Sequence, residues 1–230
     1  MKSIYDYSLY LFDLDGTLIT SELLHYKSYK LAIEKYNINI DFSYKDYVKL
    51  AHGINSTFKT IIKAYVNDFN EFYKFKEDTF KSLKNELQFI DGAESFLKKL
   101  IKQNKEICIV THSSAERVEI VKTRLPFLNK IKYWITKDVC LNKKPNPECF
   151  IRAIKLFKIP FDQIIGFEDS YKGYKAIESL PISKVIIQNP EYYYNNEMKC
   201  DNKFINYNNI NINNIKNYEY KSNIEDKIKL

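Results

Sequence analysis

Cysteine is scarce in this 230-residue chain, and the four cysteines lack the spacings that signal a metal or redox site. Cys108, Cys140, Cys149 and Cys200 form no C-x-x-C pair, and the three histidines form no cluster with zinc spacing. Cys108 lies in an apolar run, so we expect a buried thiol there. These absences argue against a zinc site and favour a reduced, cytoplasmic protein.

Long apolar segments and basic runs are missing as well. Residues 1–6 lead into no apolar stretch with a cleavage site, and no segment is apolar enough to span a membrane. The net charge is +7, but we find no nucleic-acid motif, and residues 191–230 carry six lysines and six acidic residues. The surplus of positive charge therefore lies in residues 1–190, where it suits the capture of small phosphorylated metabolites. We expect no nucleic acid or membrane partner, and a monomer or weak homodimer.

The most informative segment is residues 12–17, which read Phe-Asp-Leu-Asp-Gly-Thr and end an apolar run that begins at Leu9. Such a run predicts a buried strand, and Gly16 permits a sharp turn directly after it. Asp13 and Asp15 are then left close together at the edge of a core. Like charges held in this way require a cation or a shared proton, and Mg²⁺ with oxygen ligands is the natural cation.

Three further segments follow in order. Residues 105–111 form an apolar strand that ends in Thr111 and is followed by His112. Residues 144–150 read Lys-Pro-Asn-Pro-Glu-Cys-Phe, with a lysine before two prolines. Residues 164–170 form a strand that ends in Glu168 and Asp169, with Gly173 in the helix behind it.

The pattern of elements predicts an α/β fold with a doubly wound parallel sheet. Strands are predicted near residues 9–14, 107–111, 133–136, 164–168 and 185–188, and helices near 93–102, 115–125, 147–157 and 173–180. Ligands of such sheets bind at the carboxyl ends of strands, where all the motifs lie. Residues 21–88 are predicted to be helical, with a break at Gly53 and Asn55, and a further helix is predicted near 210–219.

The four ordered motifs, D-x-D-G-T, strand then Thr, K-P-x-P-x-x-F and E-D-S-x-x-G, resemble the haloacid dehalogenase-like hydrolase superfamily in its phosphatase and β-phosphoglucomutase branch. The resemblance runs from about residue 7 to about residue 206. It implies a discontinuous Rossmann-like core at 1–18 and 89–210, an inserted α-helical cap at 19–88, and a tail or terminal helix at 211–230.

The resemblance also implies roles for the acids. Asp13 would be the nucleophile that forms an aspartyl-phosphate, and Asp15 would protonate the leaving oxygen and then activate water. Mg²⁺ would be held by the Asp13 carboxylate, the Asp15 main-chain carbonyl and Asp169. Glu168 would act as a second ligand or through a water molecule.

Each predicted binding residue has more than one role open to it. Thr111 would donate its hydroxyl to a phosphate oxygen, or serve as a helix N-cap, or do both. His112 would bind substrate through its backbone N–H, while its ring faces either substrate or solvent. Lys144 would offset the charge of the phosphoryl group, with Lys143 as the neighbouring alternative.

In the cap, His25 is predicted to lie at the hinge and touch Asp15 or substrate, or else to be a packed or surface histidine. A solvated helix face is the favoured interpretation for Lys76. No arginine lies near residues 53–57, which argues against a mutase, because mutases of this branch carry a cap arginine for a second phosphate. Lys59 and Lys63 are nearby, but they lack the planar guanidinium group.

The leading hypothesis is a Mg²⁺-dependent phosphatase of a small phosphorylated metabolite, such as a sugar phosphate or phosphoglycolate. The first alternative is a β-phosphoglucomutase-type phosphoryl transferase. The second is a non-catalytic binding protein, which the intact set of motif residues argues against.

Overall fold

A computed structural model describes residues 1–52, 57–189 and 196–218 of the chain. The predicted break at Gly53 and Asn55 lies outside the described residues, as does the end of the tail from residue 219. None of the helices within these ranges has both the length and the apolar character that crossing a membrane requires.

One parallel sheet of six strands forms the centre of the fold, in the order β3-β2-β1-β4-β5-β6. The strands are β1 (Leu9–Phe12), β2 (Glu106–Val110), β3 (Tyr133–Ile135), β4 (Ile164–Glu168), β5 (Ser183–Ile187) and β6 (Lys203–Phe204). Every residue of β1 is fully buried, as expected for a strand covered on both faces. Phe12 pairs with Ile109 on one side and Phe167 on the other, so β1, β2 and β4 end at one level. The predicted α/β fold is confirmed.

Four helices cover the two faces of this sheet. They are α5 (Ala93–Lys102), α6 (Ala115–Arg124), α7 (Glu148–Phe157) and α8 (Tyr171–Glu178). The predicted bounds of α5 and β4 agree with the structure, while the other predicted elements differ at one or both ends. The two hydrophobic clusters on the opposite faces of the sheet are built from strand residues that alternate in direction, such as Tyr10 and Phe12 against Leu9 and Leu11.

Four more helices, which we call the four-helix segment, lie between β1 and α5 in the sequence. They are α1 (Glu22–Lys35), α2 (Tyr44–His52), α3 (Phe58–Tyr65) and α4 (Phe69–Ser82). Many of their buried residues belong to a hydrophobic cluster that is rich in aromatic rings, including Tyr29, Tyr47, Phe58 and Phe72. Residues of α8 and β5 join the same cluster. The segments by which the chain leaves and re-enters the sheet domain lie side by side. The N–H groups of Thr20 and Ile90 donate hydrogen bonds between them, to the carbonyls of Gln88 and Leu18.

The predicted helix near 210–219 is wrong for the described residues up to 218. This segment is irregular and lies against the N-terminus, where Lys2 and Ile215 form an antiparallel bridge. Ile215 is fully buried, and the Tyr7 hydroxyl donates to Asn217 Oδ1 at 2.8 Å. Pairing with the first residues of the chain therefore overrides the local helical pattern.

The cysteines divide into one pair and two single thiols. Cys140 and Cys149 lie next to each other, with a Cα–Cα distance of 5.8 Å, a pairing that no sequence spacing had suggested. Cys108 is buried, as expected, and its burial raises the pKa of the thiol to about 12. The paired cysteines flank the loop that carries Lys144.

Candidate active site

Asp13, the first acid of the D-x-D motif, lies directly after β1 at the carboxyl end of the sheet. The Asp13 N–H bonds to the Phe167 carbonyl, so this residue extends the hydrogen-bonding pattern of β1, and its carboxylate is buried. Gly16 follows with φ of 82°, a conformation that favours glycine. A Cβ atom on Gly16 would lie 2.2 Å from Asp169 Oδ2. Glycine therefore permits both the turn and the close approach of a carboxylate.

Three carboxylates converge next to this turn. One oxygen from each of Asp13, Glu168 and Asp169 lies within 4.8 Å of the others, and all three residues are buried. A Cβ atom on Gly173 would lie 1.9 Å from the carboxyl group of Glu168, so only glycine leaves room for it in helix α8. Thr17 donates its hydroxyl to Asp169 Oδ1 at 2.9 Å and fixes that carboxylate.

The electrostatics of this cluster fit a hard divalent cation. Burial raises the pKa of Asp13 and of Asp169 well above the ordinary range, and the neighbouring carboxylates add to both shifts. Lys144 opposes the shift at Asp13 without cancelling it. Mg²⁺ prefers oxygen donors such as carboxylates, and its charge would relieve the repulsion among them. Asp13, Glu168 and Asp169 could therefore hold this ion.

Lys144 is the cation that the structure supplies to the cluster. Its Nζ donates to Asp13 Oδ1 at 2.5 Å, to Glu168 Oε1 at 2.6 Å and to the Val110 carbonyl at 2.9 Å. Burial lowers the pKa of Lys144, but the two carboxylates outweigh burial and hold the pKa above its usual value. Lys143 is exposed, so the geometry distinguishes the two neighbouring lysines.

Asp15 is separate from this cluster and is held by hydroxyl groups. Its carboxylate accepts hydrogen bonds from Ser21 at 2.5 Å and Ser113 at 2.7 Å, and Thr111 Oγ1 lies 3.4 Å away. The alternative that Thr111 caps a helix is wrong, because Ser114 is the N-cap of α6. Ser21 and Ser113 were not among the predicted site residues, although Ser113 lies two residues after Thr111 and Ser21 begins the predicted helical region.

His112 orients the loop that carries Lys144. Its Nε2 accepts a hydrogen bond from the Lys144 backbone N–H at 2.7 Å, which places the ring proton of the neutral form on Nδ1. Burial and the nearby lysines, Lys144 first, lower the pKa of His112 to about 3. The ring is therefore neutral at physiological pH and serves as an acceptor.

A cavity of about 250 Å³ lies between the strand ends and the four-helix segment. Asp13, Asp15, His112 and Lys144 line it from the sheet, and His25 lines it from α1. Its remaining lining residues are Glu22, Tyr29, Tyr47, Ala51, His52, Phe58, Lys59, Tyr73, Lys76, Ser113, Arg117, Ser170 and Lys172. All predicted site residues except Thr111 thus line this cavity or belong to the carboxylate cluster beside it. Thr111 is fully buried and reaches the site only through its contact with Asp15.

The structure corrects the interpretation of Lys76. This residue is 2% exposed rather than solvated, and its Nζ lies 2.8 Å from His25 Nδ1. His25 stacks on Phe80 with ring centroids 4.2 Å apart, and its polar contact is Lys76 rather than Asp15. Burial, and then the charge of Lys76, lower the pKa of His25 well below its ordinary value.

Arg117 lines the cavity but was not predicted to do so from the sequence. It lies on α6, and its guanidinium donates to both carboxylate oxygens of Glu77 on α4, at 2.8 and 2.7 Å. Its position in the first turn of the helix after Thr111 was the one sequence feature that indicated proximity to the site. Which neighbour the side chain would meet depends on the position of the four-helix segment.

The family model for haloacid dehalogenase-like hydrolases matches residues 10–187. The chain belongs to the haloacid dehalogenase-like hydrolase family. The match runs from β1 to the end of β5 and includes all four motifs. This match confirms the predicted family and the prediction that the protein is a hydrolase, and the named relatives include phosphatases.

Among its relatives in the haloacid dehalogenase-like family is a probable pseudouridine-5'-phosphatase of Drosophila melanogaster. It is 26% identical over 78% of this chain and 80% of the relative. A phosphorylated carbohydrates phosphatase of Thermotoga maritima is 25% identical over 76% of this chain and 82% of its own. The structure of CbbY from Rhodobacter sphaeroides with phosphate is similar at a TM-score of 0.74, with 17% identity over 87% of this chain and 94% of CbbY. That likeness concerns the fold.

Proposed function

We propose that this protein is a Mg²⁺-dependent phosphatase that hydrolyses a small phosphorylated metabolite through an aspartyl-phosphate. The observation that carries the proposal is the buried cluster of Asp13, Glu168 and Asp169 with Lys144 beside it, at the edge of a cavity. Mg²⁺, when held by these acids, would neutralise the repulsion between a phosphate and the carboxylates. The relatives are named as phosphatases of small phosphorylated compounds, which supports the same reaction class.

Asp13 acts as the nucleophile in this proposal. Its carboxylate oxygen forms a bond to phosphorus while the bond from phosphorus to the ester oxygen breaks. Lys144 holds Asp13 through a hydrogen bond from Nζ and balances part of the charge that collects at the phosphoryl oxygens. Water then attacks phosphorus, releases inorganic phosphate and restores the free carboxylate.

Asp15 is the general acid and base. It gives a proton to the leaving oxygen in the first step and takes one from the attacking water in the second. The hydroxyls of Ser21 and Ser113 fix its carboxylate and leave it at the cavity lining. Thr111 and the His112 backbone N–H bind a phosphate oxygen at the end of β2.

The domain division belongs to the same proposal. Residues 1–18 and 89–210 are the catalytic core, and residues 19–88 are the cap that covers the site. Support comes from the paired crossings at Thr20 and Ile90, where the chain leaves and re-enters the sheet domain. A cap over the cavity excludes water other than the attacking molecule.

The substrate proposed is a sugar phosphate or a phosphoglycolate-like acid. Hydrolysis is favoured over β-phosphoglucomutase-type transfer because residues 19–88 contain no arginine. A non-catalytic binding protein would not require Asp13, Asp15, Lys144 and Asp169 to meet at one cavity edge.

The test is an assay of the purified protein with Mg²⁺ on a panel of phosphorylated metabolites, in which free phosphate and isomerised sugar are both measured. The proposal predicts phosphate release that chelation of Mg²⁺ by EDTA abolishes. Conversion of β-glucose 1-phosphate to glucose 6-phosphate without net phosphate would favour the mutase. No turnover of any ester would contradict both.

A further inference from the structure

Cys140 and Cys149 lie at the two ends of the loop that carries Lys144, and neither takes part in the proposed phosphoryl transfer. Their Cα atoms are 5.8 Å apart, at a sequence separation of 9. A disulfide requires a Cα–Cα distance of about 4.4 to 6.8 Å. The backbone therefore already holds these two residues at the spacing of a disulfide.

Each end of this loop is anchored to a different helix of the sheet domain. Two residues before Cys140, the Asp138 carboxylate accepts a hydrogen bond at 2.7 Å from the N–H of Ala115, the first residue of α6. Cys149 is the second residue of α7, and its side chain is fully buried. A bond between the two sulfur atoms would join these anchored points without a movement of the backbone.

Hydrogen bonds hold the loop between the two cysteines in the arrangement that presents Lys144 to the site. The Glu148 carboxylate accepts from the N–H groups of Leu141 and Asn142, at 2.9 and 2.8 Å. The Lys144 N–H donates to His112 Nε2 at 2.7 Å. The bonds to Glu148 are exposed to solvent, which favours local opening of the loop. Such opening would withdraw the lysine from the clustered carboxylates.

The two thiols differ in their access to solvent in a way that suits stepwise oxidation. Cys140 is partly exposed, whereas Cys149 is fully buried. A peroxide therefore reaches Cys140 first, and attack by the thiolate breaks the O–O bond and leaves a sulfenic acid and water. The Cys149 sulfur then attacks the Cys140 sulfur, the S–O bond breaks, and a second water molecule leaves with the Cys149 proton. The two thiols lose two electrons in total, which reduce hydrogen peroxide to water.

We propose that Cys140 and Cys149 are a redox-active pair, and that the disulfide they form on oxidation by a peroxide clamps the loop that carries Lys144. A dithiol reductant reverses the reaction by thiol–disulfide exchange. The bridge leaves Lys144 in place, and it makes opening of the loop less favourable because the two ends can no longer separate. The inference goes beyond the proposed function and does not depend on it, since neither the bridge nor the opening of the loop requires turnover.

The pairing is tested by peptide mapping of the full chain, after oxidation with a small excess of hydrogen peroxide and alkylation of the remaining thiols. Trypsin cuts after Lys137, Lys143 and Arg152 but not before a proline, so each cysteine lies on its own peptide, 138–143 or 144–152. We expect these two peptides to be joined, with two hydrogen atoms missing from their summed mass. Dithiothreitol should separate them again.

The clamp is tested by amide hydrogen exchange of residues 141–147, measured by mass spectrometry with the bridge reduced after quenching. We expect oxidation to slow the exchange of this segment by at least about fivefold. Cys140→Ser should abolish both the linkage and the slowing, and Cys140→Ala repeats the test without a new hydroxyl group. Cys200→Ser is the matched control and should respond as the wild type does, because Cys200 is also partly exposed but is a single thiol.

Recovery of the two peptides unlinked after oxidation would overturn the proposal, and so would a linkage that dithiothreitol does not reverse. Linked peptides with unchanged hydrogen exchange would show that the bridge does not clamp the loop. An equal response of Cys140→Ser and the wild type would also contradict the assignment. Phosphate release is not measured in these experiments, so failure of the proposed function is a separate result.

Discussion

Lys144 balances two buried carboxylates at once, which makes it the residue on which the charge of the site depends. Its removal leaves Asp13 and Glu168 without their cation, and breaking a buried ion pair from one side is strongly unfavourable. Lys143, the preceding residue, is exposed and provides a natural control.

We therefore expect Lys144→Ala to lower kcat/KM roughly 100- to 1,000-fold and to reduce the unfolding free energy of the metal-free protein by about 3 kcal/mol. Lys143→Ala should change either quantity little. Steady-state kinetics and urea unfolding of both variants provide the measurement. Similar losses in the two variants would contradict the assignment of the charge to Lys144.

Gly173 shows how a residue without a side chain can determine the site. A methyl group there would meet the Glu168 carboxyl group, which is fully buried and bonded to Lys144. We expect Gly173→Ala to displace Glu168 and to lower kcat/KM at least tenfold, while weakening the Mg²⁺ dependence.

Gly166 is the control, since the nearest atom to a Cβ there would be the end of the Ile182 side chain at 3.3 Å, and Ile177 lies at an ordinary contact distance of 3.7 Å. Gly166→Ala should retain activity within a few fold. The kinetics of both variants across a Mg²⁺ titration test this prediction. Normal Mg²⁺ dependence in Gly173→Ala would show that Mg²⁺ binding does not depend on the present position of Glu168.

At the scale of elements, the segment after β6 belongs to the core although it is not a helix. Ile215 is fully buried beside the N-terminal residues, while Ile212 is 42% exposed. Truncation of a buried isoleucine to alanine removes apolar contacts and leaves a cavity.

We expect Ile215→Ala to lower the unfolding free energy by about 2 to 4 kcal/mol and Ile212→Ala by less than about 1 kcal/mol. Urea denaturation followed by circular dichroism is the measurement. Equal, small effects would mean that this segment does not pack in solution as it does in the structure.

The elements that the sequence predicted well have strong local signals. β4 is a continuous apolar run, and α5 has a clear helical period between a glycine and polar residues. The motif residues could be placed together because the ends of neighbouring parallel strands lie at one edge. Lys76 and Arg117 could not be placed, because their environment depends on how the four-helix segment approaches the sheet.

At the scale of the whole molecule, Lys76 links protonation to stability across the two parts of the structure. It contacts His25 and Glu77 and lies within the field of Arg117 and Lys59. Its pKa is lowered from 10.5 to about 8, first by burial. Between these pH values the unfolded chain binds more protons than the folded one. The contribution of Lys76 to stability must therefore rise as the pH increases from 8 towards 10.5.

We expect the unfolding free energy of the wild type to rise by about 2 kcal/mol relative to Lys76→Met between pH 7.5 and pH 10. Lys74→Met, an exposed change on the same helix, should follow the wild type throughout. Urea unfolding at several pH values checks this difference. A wild type that loses stability relative to Lys76→Met over this range would show that the amine is not desolvated.

The central claim is that Asp13 attacks phosphorus, and one comparison tests it most directly. Phosphate release with Mg²⁺ is measured for the wild type and Asp13→Asn on the best substrate of the panel, after unfolding experiments show that both proteins are folded. The account predicts loss of turnover by at least 1,000-fold in a variant that, without metal, is as stable as the wild type or more so, because a buried carboxylate with a raised pKa is gone. Turnover within tenfold of the wild type would contradict it.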